Sequence, residues 1–215
     1  MRDNPDYAMD PAELKRLVRE NPWATLVAAT PAGLVASHYP VLVDESRDEL
    51  SLLTHVGRPD ERVLGLGQGE LLVVVAGPHG YVSPSWYGTS PAVPTWNFVV
   101  AHLAGVPEVL EPAENLTMLA AMVDHLEGPV TSPRPLLADP VDAAYARRIS
   151  AGTVGIRLTP TRITTKAKLS QDKAPEVVHR VLAELEGSGP YAAPALAREM
   201  RRVHPDAGAT GGRRA

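Results

Sequence analysis

Residues 70–76, ELLVVVA, indicate the fold class most directly. They form a continuous apolar run rich in β-branched residues, which is typical of a strand buried on both faces. Similar short apolar runs on both sides predict further strands at residues 24–30, 34–43, 50–56, 95–111, 153–158 and 162–169. The strand at 95–111 is expected to bend near residues 105–107. Strands at this short spacing, with helices before, between and after them, predict an α+β fold, a small barrel of about six antiparallel strands with flanking helices.

Four longer helices are predicted from apolar spacing of three and four residues, at residues 10–20, 114–127, 175–186 and 193–203. The first has a clear start, because Asp10 is suited to an N-cap and Pro11 to the first helical position. We expect one domain over residues 1–204 with N- and C-terminal helices. Residues 205–215 hold no apolar side chain larger than alanine and predict a disordered tail.

Composition excludes several classes of protein. The 215 residues include no cysteine, which rules out disulfides, cysteine-ligated zinc, iron–sulfur clusters and a nucleophilic thiolate. The net charge of -4 gives no general attraction to nucleic acid or to an anionic membrane. No apolar run reaches the roughly 18–20 residues of a membrane span, and the chain starts with a polar, acidic segment, so we expect a cytoplasmic protein.

Familiar catalytic motifs are missing from the sequence. No Gly-x-Gly-x-x-Gly follows a strand, no Gly-x-Ser-x-Gly occurs, and none of the seven histidines has a metal-binding spacing. His55 stands out because it ends a predicted strand just before a loop with a bend, one cation and two carboxylates, at residues 57–61. A haem iron in a cysteine-free chain needs histidine, tyrosine or methionine as its protein ligand. The alternative is an ordinary hydrogen-bonding histidine.

Two stretches concentrate aromatic rings and hydroxyl groups: GPHGYVSPSWY at residues 77–87 and VPTWNF at residues 93–98. Trp86, Tyr87 and Trp96 are candidates to line a planar cofactor, because flat rings stack on flat ligands. The alternative is that these rings close the barrel core and the hydroxyls serve turns.

The segment RITTKAKLSQDK at residues 162–173 places Lys166 and Lys168 on the same face of a predicted strand. Two neighbouring cations beside Ser170 and Gln171 suit a phosphate, a haem propionate or a substrate carboxylate. The alternative is an exposed edge strand protected by lysine.

Taken in order, GPHGYVSPSWY, VPTWNF with the following His102, and KLSQDK resemble the signatures of the FMN-binding negative transcriptional regulator (PaiB-like) family. ATLVA, GLVASHYP and LAREM fall in the same order, so the resemblance covers residues 23–203. It implies a split β-barrel and a homodimer with the cofactor site at the subunit interface.

The cofactor loop departs from that family. The regulators carry G-H-x-A-x-x-N-P-x-W where this chain has THVGRPDE at residues 54–61, which keeps His55 but lacks the asparagine and the tryptophan. Asp172 also replaces the asparagine of K-L-S-Q-N. In these respects the chain looks more like one branch of the family, the haem-dependent piperazate synthases, which close N5-hydroxy-L-ornithine into L-piperazic acid by forming an N–N bond.

The resemblance to that branch implies haem b as cofactor, with FMN as the alternative. His55 would be the axial iron ligand and a catalytic residue, and Arg58, Lys166 and Lys168 would neutralise propionates or orient the substrate. Gln171 would join the cofactor contacts. Three functions stay open at this point: a haem enzyme acting on a small hydroxyornithine-like substrate, an FMN-binding protein, and a DNA-binding regulator, the last disfavoured by the net charge.

Overall fold

The computed structural model describes residues 4–208. Its strands are β1 (Trp23–Thr30), β2 (Gly33–Val43), β3 (Leu52–Gly57), β4 (Leu71–Val82), β5 (Thr95–Gly105), β6 (Glu108–Val109), β7 (Thr153–Leu158) and β8 (Arg162–Lys168). Its α-helices are α1 (Pro11–Glu20), α2 (Arg58–Leu64), α3 (Pro112–Glu127), α4 (Pro140–Ser150), α5 (Pro175–Glu186) and α6 (Pro194–Val203). The predicted N-cap is present, since the Asp10 side chain accepts a hydrogen bond from the Glu13 N–H.

The strands form one sheet in the order β6-β7-β3-β2-β1-β4-β5-β8. Neighbouring pairs such as β1–β2, β1–β4, β2–β3 and β3–β7 are antiparallel. This is the predicted α+β split-barrel fold. There are eight strands in the described residues rather than about six, partly because the predicted strand at 95–111 ends at Gly105 and resumes as β6 after Pro107. Proline has no N–H to continue the ladder at that bend.

One strand is longer than predicted. The sequence indicated that the strand ends near residue 76 and gives way to turns, yet β4 continues to Val82. Gly80 is used for close packing rather than for a turn, because a Cβ at this position would lie 3.1 Å from Cδ2 of Leu196. Glycine within a strand often marks such a close approach.

The chain forms two compact units. The first unit contains the described residues of Met1–Met9, Ala76–Ala101 and Thr164–Ala215. The second unit contains Asp10–Val75 and His102–Ile163.

Each unit has its own buried apolar residues. In the first unit, α5 and α6 bury Val178, Leu182, Leu185, Leu196 and Met200. In the second unit, the fully buried side chains include those of Leu17 on α1 and of Leu26, Val41, Leu52, Leu71, Leu103, Ile156 and Leu158 on the strands.

The predicted tail falls partly outside the described residues. Pro205–Gly208 form a 3-10 turn, and residues 209–215 are not described. Within residues 4–208, no helix is both long enough and apolar enough to cross a membrane.

Candidate functional site

Strand β8 presents two cations in the first unit. Lys166 and Lys168 are both partly buried and lie two residues apart, as the strand period requires. The Lys166 Nζ lies 5.5 Å from the centre of the Tyr7 ring, and the Lys168 Nζ donates a hydrogen bond to Oγ1 of Thr95. Neither lysine is paired with a carboxylate among residues 4–208. Both positive charges therefore remain available to an anion.

An aromatic cluster lies in the same unit, on β4 and β5. The His79 and Trp96 rings are stacked with centroids 6.0 Å apart, and the Trp96 Nε1–H donates to His79 Nδ1 at 3.3 Å. Tyr81 contacts both Trp96 and Tyr191. Half of the Trp96 surface is exposed, so this cluster offers an open aromatic face rather than a filled core. Trp96, which was predicted to line a planar cofactor, lies in this cluster, and its partner His79 was not predicted.

Trp86 and Tyr87 lie in a short 3-10 segment, Pro84–Tyr87, that follows β4. Tyr87 is buried, and its carbonyl accepts a hydrogen bond from Arg180 of α5. The Lys173 Nζ lies 5.7 Å from the centre of the Tyr87 ring, while Trp86 is half-buried. Tyr87 therefore helps to hold this segment on α5, which is the core alternative considered for it.

The turn after β8 is held by its own side chains. Ser170 is buried with a φ of 65°, which is unusual for a residue other than glycine, and its Oγ accepts from Nδ2 of the fully buried Asn97 at 2.8 Å. The Gln171 Oε1 accepts from the Leu169 N–H at 2.7 Å, and its Nε2 donates to the Ala167 carbonyl at 2.6 Å. Gln171 thus fixes the backbone that follows the two lysines.

His55 lies in the second unit, on β3 opposite Gly155 of β7. Its ring is edge-on to the Tyr39 ring with centroids 5.9 Å apart. The Nδ1 atom is buried and has no hydrogen-bond partner among the described residues. Burial lowers the pKa of His55, so the imidazole is held neutral, the form in which histidine binds metals.

A polar cluster that was not predicted lies beside His55. Asp60 Oδ2 accepts from the Ser37 hydroxyl at 2.7 Å and from the Tyr39 hydroxyl at 2.8 Å. The Tyr39 oxygen in turn accepts from the Gly57 N–H at 3.1 Å. These hydrogen bonds from Ser37 and Tyr39 lower the pKa of Asp60, so its carboxylate stays charged. Alternation along β2 places Ser37 and Tyr39 on one face, and this alternation is the signal in the sequence that identifies them.

Arg58 begins α2 in the second unit. Its Nε donates to the Ala151 carbonyl at 2.6 Å, and its Nη1 lies 3.6 Å from Oε2 of Glu61. Arg58 therefore links α2 to the end of α4.

The predicted site residues are divided between the two units. Those in the first unit are Trp86, Tyr87, Trp96, Lys166, Lys168 and Gln171, and those in the second are His55 and Arg58. Within residues 4–208, no three histidine, aspartate or glutamate side chains are grouped so that they could hold a metal ion. His55 as the sole protein ligand of a haem iron stays a prediction.

Comparison with known families identifies a match over most of the chain. The sequence profile of the family described as "Putative FMN-binding domain" matches residues 1–162. The protein "Protease synthase and sporulation protein PAI 2" of Bacillus subtilis is 28% identical over 176 residues, which are 81% of this chain and 83% of that protein. These findings confirm the resemblance found in the motifs.

Solved structures support the fold. The FAD and haem binding protein from Mycobacterium smegmatis aligns with a TM-score of 0.56 at 18% identity, covering 80% of this chain and 78% of that one. The flavocytochrome Anf3 from Azotobacter vinelandii aligns with a TM-score of 0.55 at 16% identity, covering 74% of this chain and 68% of that one. At these identities the similarity shows the shared fold. The piperazate synthase branch is not tested by any of these comparisons.

Proposed function

Since the chain belongs to this family of FMN-binding domains, we propose that it is an FMN-binding split-barrel protein. The observation that carries the proposal is the pair of lysines on β8, which have no carboxylate partner among the described residues and lie in the same unit as an exposed aromatic face. A flavin mononucleotide has the two matching parts, a phosphate dianion and a flat ring system.

The β8 lysines fit the phosphate of FMN. Cations that are partly buried bind anions more strongly than fully solvated ones, because less water screens the charge. Thr95 adds a hydroxyl beside Lys168, and the Gln171 turn holds the strand end in place. We propose that Lys166 and Lys168 neutralise the phosphate.

The His79–Trp96 stack fits the ring of FMN. It is flat, partly exposed and bordered by Tyr81. Stacked aromatic pairs contribute about 0.5–1.5 kcal/mol beyond the area they bury. When bound, the flavin supplies reversible electron transfer, while these side chains bind and orient it.

Fluorescence titration with FMN and with riboflavin tests the proposal. Riboflavin has the same ring and lacks the phosphate, so the ratio of the two affinities isolates the phosphate contacts. Wild type should bind FMN more tightly than riboflavin. The double variant Lys166→Ala/Lys168→Ala should lose at least about a hundredfold in FMN affinity and keep its riboflavin affinity, since each of the two charge-assisted hydrogen bonds contributes about 1.5–3 kcal/mol.

Lys173→Ala is the matched control. Lys173 lies in the same unit, but it is paired with Asp172 at 2.6 Å and contacts the Tyr87 ring. Its replacement should leave both affinities unchanged. Equal losses of FMN and riboflavin in the double variant, or failure of wild type to bind FMN, would contradict the proposal.

The second candidate is haem-dependent cyclisation of N5-hydroxy-L-ornithine to L-piperazic acid. It is favoured by one observation, the half-buried neutral His55 whose Nδ1 has no partner among the described residues. A bound haem would supply iron as a Lewis acid. In this candidate His55 would hold the iron, and Arg58 of the same unit would bind a carboxylate of the cofactor or substrate.

The visible spectrum of the purified protein separates the two candidates. A Soret band that disappears in His55→Ala and persists in His38→Ala, with product formed from hydroxyornithine, would establish the haem enzyme. His38 is a suitable control because it is exposed on β2. Flavin absorption without a Soret band would exclude this candidate and favour FMN.

We also propose a homodimer located in the cytoplasm. Strand β2 supports the dimer, because its first half is poorly covered and Leu34 is 79% exposed. On neighbouring β1, Trp23 stacks on His38 while 63% of its own surface is exposed. Trp23 pairs with Pro40 and Leu34 with Ala29, so the two exposed side chains lie near opposite ends of the β1–β2 pair. Large exposed apolar side chains are one feature of protein interfaces.

A further inference from the structure

The second unit contains a cavity that the FMN proposal does not use. Its volume is about 710 Å³, within the usual size range of small-molecule sites. It is lined by the start of α2, the junction of β6 with α3, the end of α4 and the start of β7. All these segments belong to the second unit, so the cavity is contained within it.

Four charged residues line this cavity, and two of them have no partner. Arg58 and Glu61 lie 3.6 Å apart and partly neutralise each other. Arg147 and Glu111 have no ion pair or side-chain hydrogen bond within residues 4–208. These two charged groups do not form an ion pair with each other. One free positive and one free negative charge therefore line the same cavity at separate places.

The other lining residues include aliphatic side chains and a fixed polar wall. The aliphatic side chains are those of Val109, Leu110, Leu116 and Val154. Asn115 is almost fully buried, and its Nδ2 donates to Thr153 Oγ1 at 3.1 Å. Gly155 leaves room for it, because a Cβ at that position would lie 2.6 Å from Asn115 Oδ1. The wall is therefore formed before any ligand binds, which lowers the entropic cost of binding.

We propose that this cavity binds a small zwitterion of the aliphatic α-amino acid class. The ligand carboxylate binds the Arg147 guanidinium, the ligand ammonium binds the Glu111 carboxylate, and the hydrocarbon side chain contacts Leu110, Leu116 and Val154. A ligand with only one charge would satisfy only one of the two free groups. The inference is independent of FMN binding, because none of its residues belongs to the first unit.

Isothermal titration calorimetry with three matched probes tests this proposal. L-Norleucine carries both charges, hexanoate lacks the ammonium, and hexylamine lacks the carboxylate. Wild type should bind norleucine saturably and bind each of the other probes at least about tenfold more weakly, because each lacks one charge-assisted contact. Arg147→Gln and Glu111→Gln should each weaken norleucine binding by about ten- to hundredfold.

Arg148→Gln is the matched control for Arg147→Gln. Arg148 is the next residue of α4 and is also exposed, but it lies over the Tyr145 ring at 5.1 Å and does not line the cavity. The Arg148→Gln variant should bind norleucine with the same affinity as the wild type. Ala113 also lines the cavity and is exposed, so Ala113→Phe places a large side chain in it. This variant should not bind norleucine, and its far-ultraviolet circular dichroism should equal that of the wild type.

Three results would overturn the inference: no saturable norleucine binding, equal binding of norleucine and hexanoate, or equal losses in the Arg147 and Arg148 variants. Flavin absorption measured on the same samples keeps the two proposals apart. Norleucine binding by a protein that fails to bind FMN would refute only the FMN proposal. FMN binding without norleucine binding would refute only the amino-acid site.

Discussion

Replacing Arg157 with leucine tests the strongest electrostatic interaction in the second unit. Arg157 is 9% exposed and lies on β7. Its Nε donates to Asp44 at 2.8 Å, and its two Nη groups donate to Glu108 at 3.2 Å and to Glu114 at 2.5 Å. Hydrogen bonds to Asp44 and Glu114 raise the pKa of Arg157, so the arginine stays charged at every accessible pH.

The size of the effect follows from which partners are buried. Asp44 is 4% exposed, whereas Glu108 and Glu114 remain substantially exposed and return to water when the arginine is removed. Removal of one member of a buried pair destabilises a protein by about 3–5 kcal/mol, because the other charge is left without compensation. Ser46 still donates two hydrogen bonds to Asp44, so we expect the lower end of this range, about 3 kcal/mol.

Urea unfolding followed by circular dichroism measures the loss. Arg162→Leu is the matched control, because Arg162 is 64% exposed and pairs with the exposed Glu70, an interaction worth less than about 1 kcal/mol. The double variant Asp44→Leu/Arg157→Leu should be more stable than Arg157→Leu alone, since no buried charge remains unpaired. If Arg157→Leu and Arg162→Leu lose the same amount, the reasoning from burial is wrong.

Gly155→Ala should lower the free energy of unfolding by about 1–3 kcal/mol, because the new Cβ meets Asn115 Oδ1 at 2.6 Å; a melting temperature equal to wild type would contradict this. Burial alone would raise the pKa of Asp44, but hydrogen bonds from Ser46 and Arg157 hold this pKa below the ordinary value of 3.8. The charged carboxylate therefore stabilises the fold above pH 3.8, and this stabilisation is lost as the pH falls through the lowered pKa. The free energy of unfolding of the wild type, measured as a function of pH, should therefore fall in this acidic range, and that of Asp44→Asn should not show this fall. Light scattering should give about twice the chain mass of 23.0 kDa, and a monomer that still binds FMN would disprove the proposed interface.

The sequence was sufficient for the fold because its patterns are local. The β-branched run of β4 and the apolar spacing of α5 each identify their element without knowledge of a partner. The length of β4 was missed for a non-local reason. Glycine predicts a turn unless something packs against it, and the packing residue, Leu196, lies more than a hundred positions away.

The candidate site was predictable only where residues are neighbours in sequence. Lys166 and Lys168 were found from their spacing of two within one strand. The contact of Tyr39 with Asp60 joins β2 to α2, and the stacking of His79 on Trp96 joins two strands. Nothing in local periodicity indicates which of several tyrosines or histidines will meet across elements, so these partners required the structure.

The Ser170 turn has a consequence for how this chain can change in evolution. A positive φ favours glycine, so Ser170→Gly would relieve backbone strain. The same change would remove the oxygen that accepts from Nδ2 of Asn97, an amide enclosed in protein. The amide keeps its contact with Sδ of Met200 at 3.6 Å, but the N–H that donated to Ser170 loses its acceptor, which costs about 1–3 kcal/mol. This loss offsets the roughly 1–2 kcal/mol of backbone strain that glycine would relieve. Positions 97 and 170 are therefore epistatic: glycine at 170 is more favourable in a lineage that has already replaced Asn97 with an apolar residue.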